Sequence, residues 1–195
     1  MRNAMNGKRS AVVALVGSVV LVGATALGDL SLNPDSRLWV EGTSTVRSYK
    51  CVAGALESEI VPTATPTATV PVDQLVQTAK VSVAVAALDC ANGTMNNHMQ
   101  KALKMKDHPR LTFELVSYTI DGSNAVLDGT LEMAGRTNPV RIAATVAEEA
   151  GGIVRVKATH ALRMTEWGMK PPSLMLGAMK VHDGVTIHFD VTLQR

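Results

Sequence analysis

Most of the chain alternates apolar and polar residues one by one, and this period limits the folds open to it. Residues 127–133 read Leu-Asp-Gly-Thr-Leu-Glu-Met, and the same alternation recurs over 111–115, 140–146, 154–164 and 185–193. A period of two places alternate side chains on opposite faces of a β-strand, with one face buried. The pattern therefore predicts a series of half-buried strands.

Short turn signals separate these strands: Asp121-Gly122, Gly135-Arg136, Gly151-Gly152 and Asp183-Gly184. Alternation also covers residues 37–46 and 80–87, which brings the number of expected strands to about eight. Short strands joined by tight turns indicate an antiparallel sandwich or barrel. Eight strands close into a barrel wide enough for one small ligand, as in lipocalin-type folds. We therefore predict an all-β antiparallel barrel.

One helix pattern interrupts the strands. Met99, Ala102 and Leu103 form a narrow apolar stripe, and Asn96 or Asn97 can cap its start with a side-chain oxygen. Pro109 ends the helix. Pro-rich residues 61–72 predict a loop or an edge strand, because proline lacks the N–H that a strand ladder needs.

The N-terminus has the pattern of a secretory signal peptide. Basic residues precede an apolar run over residues 11–22, and Ala24-Thr25-Ala26 is an A-x-A cleavage pattern. We predict a signal peptide over 1–26, a linker over 27–36 and one domain over 37–195, in a periplasmic or secreted protein. An uncleaved membrane anchor is the alternative.

The chain has two cysteines, Cys51 and Cys90. Export would place them in an oxidising compartment, where a pair of cysteines usually forms a disulfide. We therefore expect a disulfide, which would stabilise the fold by about 4 kcal/mol through the shortened unfolded chain. Two buried thiols are the alternative.

Composition and motifs exclude several functions. A net charge of +2 is too small for a nucleic-acid binder. The chain contains neither the G-x-S-x-G motif of hydrolases nor the H-E-x-x-H motif of zinc enzymes, so we assign no catalytic residue, metal ligand or cofactor. His160 falls on the apolar side of its strand, where an interior histidine with its hydrogen bonds satisfied is the commoner outcome.

The barrel interior can be read as hollow or filled. Aromatic residues make up only 3% of the chain, and Gly129, Ala144 and Ala158 are small residues on the inward side. A cavity lining needs such positions, although aliphatic side chains fill many small barrels. The methionines favour a cavity slightly, because their flexible side chains adapt to apolar ligands.

Three blocks of the chain resemble the YceI-like family of exported bacterial proteins, also called polyisoprenoid-binding proteins. The first is Asn97-His98-Met99 with residues 101–103 and 108–113. The second is residues 127–131 with Gly135-Arg136-Thr137-Asn138-Pro139-Val140, and the third is residues 162–169 with 181–185. The resemblance covers roughly residues 37–195. The family's usual Arg-Asp pair before the helix histidine is Asn96-Asn97 in this chain.

The resemblance implies a lipocalin-like barrel with a short helical cap and a long apolar ligand, such as an isoprenoid quinone or a polyprenyl phosphate, inside it. We expect His98 and Lys101 to contact the ligand's head group at the mouth. The expected ligand-binding residues along the barrel and the segment after it are Phe113, Leu115, Leu131, Met133, Ile142, Val156, His160, Leu162, Met164, Trp167, Leu174, Met175, Met179 and Phe189.

Two hypotheses for the function follow. The first is a non-enzymatic carrier of a long-chain apolar lipid, and transient membrane contact is compatible with it. The second is a filled β-barrel that acts as a stress-associated protein-interaction module. A continuous void inside the barrel would favour the first. The sequence leaves the oligomeric state open, a homodimer included.

Overall fold

The structure is a computed structural model that describes residues 30–174 and 178–195. The predicted signal peptide and the first three residues of the predicted linker lie outside the described residues. So does Met175, one of the expected ligand contacts.

Twelve strands and one α-helix form within the described ranges. Their bounds are β1 (Ser31–Leu32), β2 (Arg37–Ser44), β3 (Ser48–Ala53), β4 (Glu57–Pro62), β5 (Val76–Ala84), β6 (Leu88–Asp89), α1 (Gly93–Ala102), β7 (Arg110–Asp121), β8 (Asn124–Met133), β9 (Arg136–Glu149), β10 (Ile153–Arg163), β11 (Ser173–Leu174) and β12 (Met179–Gln194). Short 3-10 turns occupy Val72–Gln74, Val85–Ala87 and Met164–Trp167.

The strands form one antiparallel sheet that curls into a barrel. β3 and β4 make up one interrupted strand, and β5 and β6 make up another beside it, with β3 on β6 and β4 on β5. The first pairs with β2 and the second with β7, while β7, β8, β9, β10 and β12 follow in order until β12 pairs with β2. These two interrupted strands and six others make a circuit of eight (2 + 6). The prediction of a lipocalin-like barrel of about eight strands is confirmed.

The predicted alternation matches the two faces of the sheet. On β8 and β9, Leu131, Met133, Val140, Ile142 and Ala144 are buried, while their polar neighbours face outward. Together with residues of β5, β10 and β12 they form the main hydrophobic core. The core therefore lies inside the barrel.

The predicted turn at Asp183-Gly184 is wrong. β12 runs through these residues, and its pairing with β2 is irregular between Val181 and Val185. The extra residues let Asp183 reach the 3-10 turn at Met164–Trp167, where it accepts hydrogen bonds from the backbone N–H of Thr165 (2.9 Å) and its hydroxyl (2.7 Å). An Asp-Gly pair here serves a bulge rather than a hairpin.

The helix begins earlier than predicted. Gly93 is its first residue, and the Asn92 side chain accepts a hydrogen bond from Met95 N–H at 3.0 Å, so Asn92 is the cap rather than Asn96 or Asn97. Asn96 instead accepts from Cys90 N–H (2.8 Å) and donates to Asp89 (2.9 Å). It joins the helix to the strand before it.

A second, smaller core closes one end of the barrel. Leu30, Leu75 and Val154 are almost fully buried there, with half-buried side chains from β4, β5 and β12 around them. The segment that follows β4 reaches this end, where the Tyr118 hydroxyl donates to Val72 O at 3.2 Å. β1 pairs with β12, so residues 31–32, which the sequence assigns to a linker, are part of the sheet.

The predicted disulfide is confirmed. Cys51 on β3 is bonded to Cys90, which lies just before α1, and both residues are buried. The bond spans 39 residues of sequence. It joins the start of the helical cap to the barrel wall.

We expect removal of this disulfide to lower the free energy of unfolding by about 4 kcal/mol, because the unfolded chain regains the freedom of a long loop. Urea unfolding of the oxidised protein and of the Cys51→Ala/Cys90→Ala variant measures the difference. Adding a reductant should destabilise the wild type and leave the variant unchanged. A variant as stable as the oxidised wild type would contradict the prediction.

Candidate ligand cavity

A cavity of about 450 Å³ opens at the end of the barrel that carries α1. The helix forms one side of it through Met95, His98 and Met99. Further lining comes from β2, the turn between β2 and β3, and the first half of β12. The closed end of the barrel lies at the other end of the strands, so the cavity has one mouth.

Methionines supply much of the lining. Met95 and Met99 project from the helix, while Met133, Met164, Met169 and Met179 come from β8, the turn after β10 and the start of β12. Val40, Leu88, Leu103, Leu111, Leu162, Val181, Val185 and Ile187 complete the apolar surface. Unbranched thioether side chains adjust to the shape of an apolar molecule. This wall therefore suits a flexible hydrocarbon.

Tyr49 places a hydroxyl in this apolar lining. It lies opposite Gly42 on β2, and a Cβ at position 42 would be 2.3 Å from the Tyr49 hydroxyl oxygen. Glycine therefore lets the ring lie against β2. Burial raises the pKa of Tyr49, so the hydroxyl keeps its proton and can donate a hydrogen bond.

The disulfide also lines the cavity. Cys51 and Cys90 are both in its wall, and the Cys90 sulfur lies 3.7 Å from the sulfur of Met99. The sequence indicates a disulfide but gives no sign that it faces a ligand site. Its position joins the helical side of the mouth to β3.

The cavity contains only part of the expected ligand-binding set. Met133, Leu162, Met164, Met179 and His98 line it. They come from four separate parts of the chain, which the barrel brings together.

The other expected residues lie elsewhere. Leu131, Ile142 and Trp167 are buried in the main core, and Phe113, Val156 and Phe189 are half-buried against it. Leu115 and His160 are half-buried, Lys101 is exposed, and no side-chain description covers Leu174. None of the described ones lines the cavity, because side chains fill the barrel below it. Trp167, for example, donates its indole N–H to Leu131 O at 3.2 Å.

Sequence reasoning missed most of the lining from β2, β3 and β12. Val40, Val185 and Ile187 lie on the apolar side of strands that were recognised, so their inward position was readable. Alternation shows which residues face inward but not how far along the barrel axis they lie. That position decides which of the inward residues line the cavity. Tyr49 and the two cations at the rim, Arg47 and Lys180, had no such signal.

Within residues 30–174 and 178–195, no group of three or more His, Cys, Asp or Glu side chains is placed to hold a metal ion. In the same ranges, no helix has the length and apolar character needed to span a membrane.

Comparison with known proteins identifies the relatives of this barrel. A family model described as "YceI-like domain" matches residues 41–193. BcnA of Burkholderia cenocepacia is similar in structure, with a TM-score of 0.69 at 14% identity over 83% of this chain and 99% of that one. No curated protein sequence matches the chain.

Two further solved structures share the fold. The YCEI protein of Campylobacter jejuni has a TM-score of 0.58 at 19% identity, over 74% of this chain and 84% of that one. A domain from Saccharophagus degradans described as polyisoprenoid binding has a TM-score of 0.62 at 10% identity, over 85% and 97%. Likeness at these identities shows the fold alone.

The burial of His160 predicts that the stability of the barrel depends on pH. Burial lowers its pKa, opposed by the negative charge of Glu166. The unfolded chain therefore binds the proton more tightly than the folded one, near pH 6.5. This contribution to stability is complete above that pH and is lost as the pH falls through the lower, folded pKa.

We expect the wild type to lose stability between about pH 7.5 and pH 5 more steeply than His160→Gln does. Urea unfolding at several pH values across this window provides the comparison. Parallel curves for the two proteins would show that His160 does not contribute.

Proposed function

Because this chain belongs to the YceI-like domain family, we propose that it binds a long-chain apolar lipid inside its barrel, without catalysis, in the bacterial envelope. The observation that carries the proposal is the cavity of about 450 Å³ with its methionine-rich, apolar wall. An isoprenoid quinone, a polyprenyl phosphate or a similar chain is the ligand class. The description of the Saccharophagus degradans domain as polyisoprenoid binding supports this choice.

Burial of the hydrocarbon supplies the binding energy. Each methylene moved from water into the cavity contributes about 0.8 kcal/mol, so ten contribute about 8 kcal/mol. The loss of ligand freedom on binding opposes part of this gain.

The cavity also distinguishes the two hypotheses drawn from the sequence. A barrel that served only as an interaction surface would need no void, and large side chains would fill its axis. Side chains fill this barrel at the closed end and leave space at the mouth. The lipid carrier is therefore the better supported hypothesis.

The envelope location rests on two features. The first 26 residues have the signal-peptide pattern, and a disulfide joins Cys51 to Cys90. Disulfides persist in the periplasm and outside the cell, where no reducing system removes them. Fusion of residues 1–36 to a reporter enzyme that is active only after export tests the location.

Protein purified from a bacterial host should carry a lipid. Native mass spectrometry should show an added mass, and organic extraction should return a long-chain apolar lipid. Protein that is folded, bare and unable to take up any added lipid would overturn the proposed function.

Filling the cavity should weaken lipid binding. Val40 lines the void and is half-buried, so Val40→Trp should occupy ligand space and weaken lipid binding at least tenfold, about 1.4 kcal/mol. Val116 is 71% exposed on β7, which makes Val116→Trp the matched control. Lipid uptake measured by native mass spectrometry should fall only for the first variant. Equal uptake by both would contradict the site.

A further inference from the structure

The cavity of about 450 Å³ opens to solvent at the end of the barrel that carries α1. A lipid whose apolar tail lies inside the cavity therefore places its head group at that mouth.

Two cations stand at the rim of this cavity. Arg47 lies in the turn between β2 and β3, and Lys180 lies at the start of β12. Neither forms an ion pair with a residue that the structure describes. No Asp or Glu is among the described lining residues. The charge at the mouth is therefore positive and uncompensated from within the cavity.

Backbone hydrogen bonds fix both cations on one piece of the rim. Ser44 N–H donates to Arg47 O at 2.9 Å, which closes the turn, and Thr45 N–H donates to Lys180 O at 2.9 Å. The Lys180 N–H in turn donates to the Thr45 hydroxyl at 3.2 Å. The two side chains therefore extend from a braced edge.

Asp183 is an acidic residue whose pKa is affected by the charge of Lys180. The pKa of Asp183 is lowered first by its hydrogen bonds from Thr165 and to a smaller extent by Arg163 and Lys180. Its carboxylate is occupied by those hydrogen bonds and does not line the cavity. The Asp183 carboxylate therefore forms no ion pair with Lys180.

A hydrogen-bond donor lies just inside the rim. Tyr49 is two residues beyond Arg47, and both line the cavity, as does Cys51 a further two residues along β3. Burial raises the pKa of the half-buried Tyr49, so its hydroxyl keeps its proton. A polar ligand atom at this depth would accept a hydrogen bond from it.

From the open mouth, the unpaired rim cations and the Tyr49 hydroxyl we infer a head-group subsite for a single-chain anionic lipid. The ligand has a carboxylate or phosphate head and an apolar tail. Arg47 and Lys180 attract the charge, and Tyr49 donates to a head-group oxygen. This inference rests on the proposed lipid binding. It places the head group at the β2–β3 turn and the start of β12, whereas the sequence indicated His98 and Lys101 of the helix. His98 lines the cavity on the helix side, and Lys101 does not.

The test compares ligands that differ only in their heads. Hexadecanoate is measured against hexadecanol, and farnesyl phosphate against farnesol, by native mass spectrometry titration with the delipidated full chain. We expect each anion to bind at least tenfold more tightly than its neutral partner. A preference for one anion over the other identifies the lipid source as a fatty acid or an isoprenyl phosphate. The preference should shrink as salt is raised, because salt screens exposed charges.

Substitutions of the rim residues test whether they cause the preference for anionic ligands. Arg47→Gln and Lys180→Gln should each weaken anion binding about tenfold, which corresponds to about 1.4 kcal/mol, and leave the alcohols unchanged. Tyr49→Phe should weaken both anions and leave folding intact. Lys157→Gln is the matched control, because Lys157 is exposed and pairs with Asp190 on the barrel's outer surface.

The outcomes separate the inference from the proposed function. Equal binding of anions and alcohols, or variants that lower both alike, would overturn the head-group subsite and keep lipid binding. Failure of every lipid to bind the folded protein would overturn the proposed function itself.

Discussion

The pairing of β2 with β12 is the contact on which the rest of the structure depends. It joins the first long strand of the barrel to the last, Leu38 to Phe189 and Gly42 to Val185 among the partners. Without it the sheet would have two exposed edge strands. Closure into a barrel pairs these strands with each other and leaves no edge. Because the two strands are far apart in the sequence, closure costs loop entropy before it gains contacts. The same pairing places Val40 and Ile187 side by side in the cavity wall.

Closure leaves two unlike ends. At one end Leu30, Leu75 and Val154 fill the space between the strands, and the Arg195 guanidinium donates to Thr67 O at 2.9 Å across it. At the other end an eight-stranded barrel would stay open to water, and a single ten-residue helix covers part of it. A helix this short gains little stability alone. The hydrogen bond from Cys90 N–H to Asn96 and the Cys51–Cys90 disulfide hold the helix to the barrel and add to its stability.

Most of the fold could be read from the sequence, because alternation and turn residues act over a few neighbours. The failures lie where tertiary contacts override local pattern. On β7 the pairing with β8 shifts between Leu115 and Ser117, so that Val116 is exposed and the next half-buried positions are Tyr118 and Ile120. Strict alternation does not show such a bulge. The predicted turn at Asp183-Gly184 is wrong for the same reason. Thr165, in a distant segment, donates hydrogen bonds to the Asp183 carboxylate.

The candidate site was harder to predict than the fold. It depends on where each residue lies along the barrel axis, and not only on which face of the sheet carries the side chain. Ile142 and Met133 both point inward on neighbouring strands, yet only Met133 meets the void. The difference is set by where large side chains stop filling the barrel, which involves all eight strands together. Trp167 illustrates this, since its indole packs into the core and donates to Leu131 O. The polar part of the lining also depends on more than one residue. Gly42 leaves the space in which the Tyr49 ring lies, so neither residue alone predicts that Tyr49 lines the cavity.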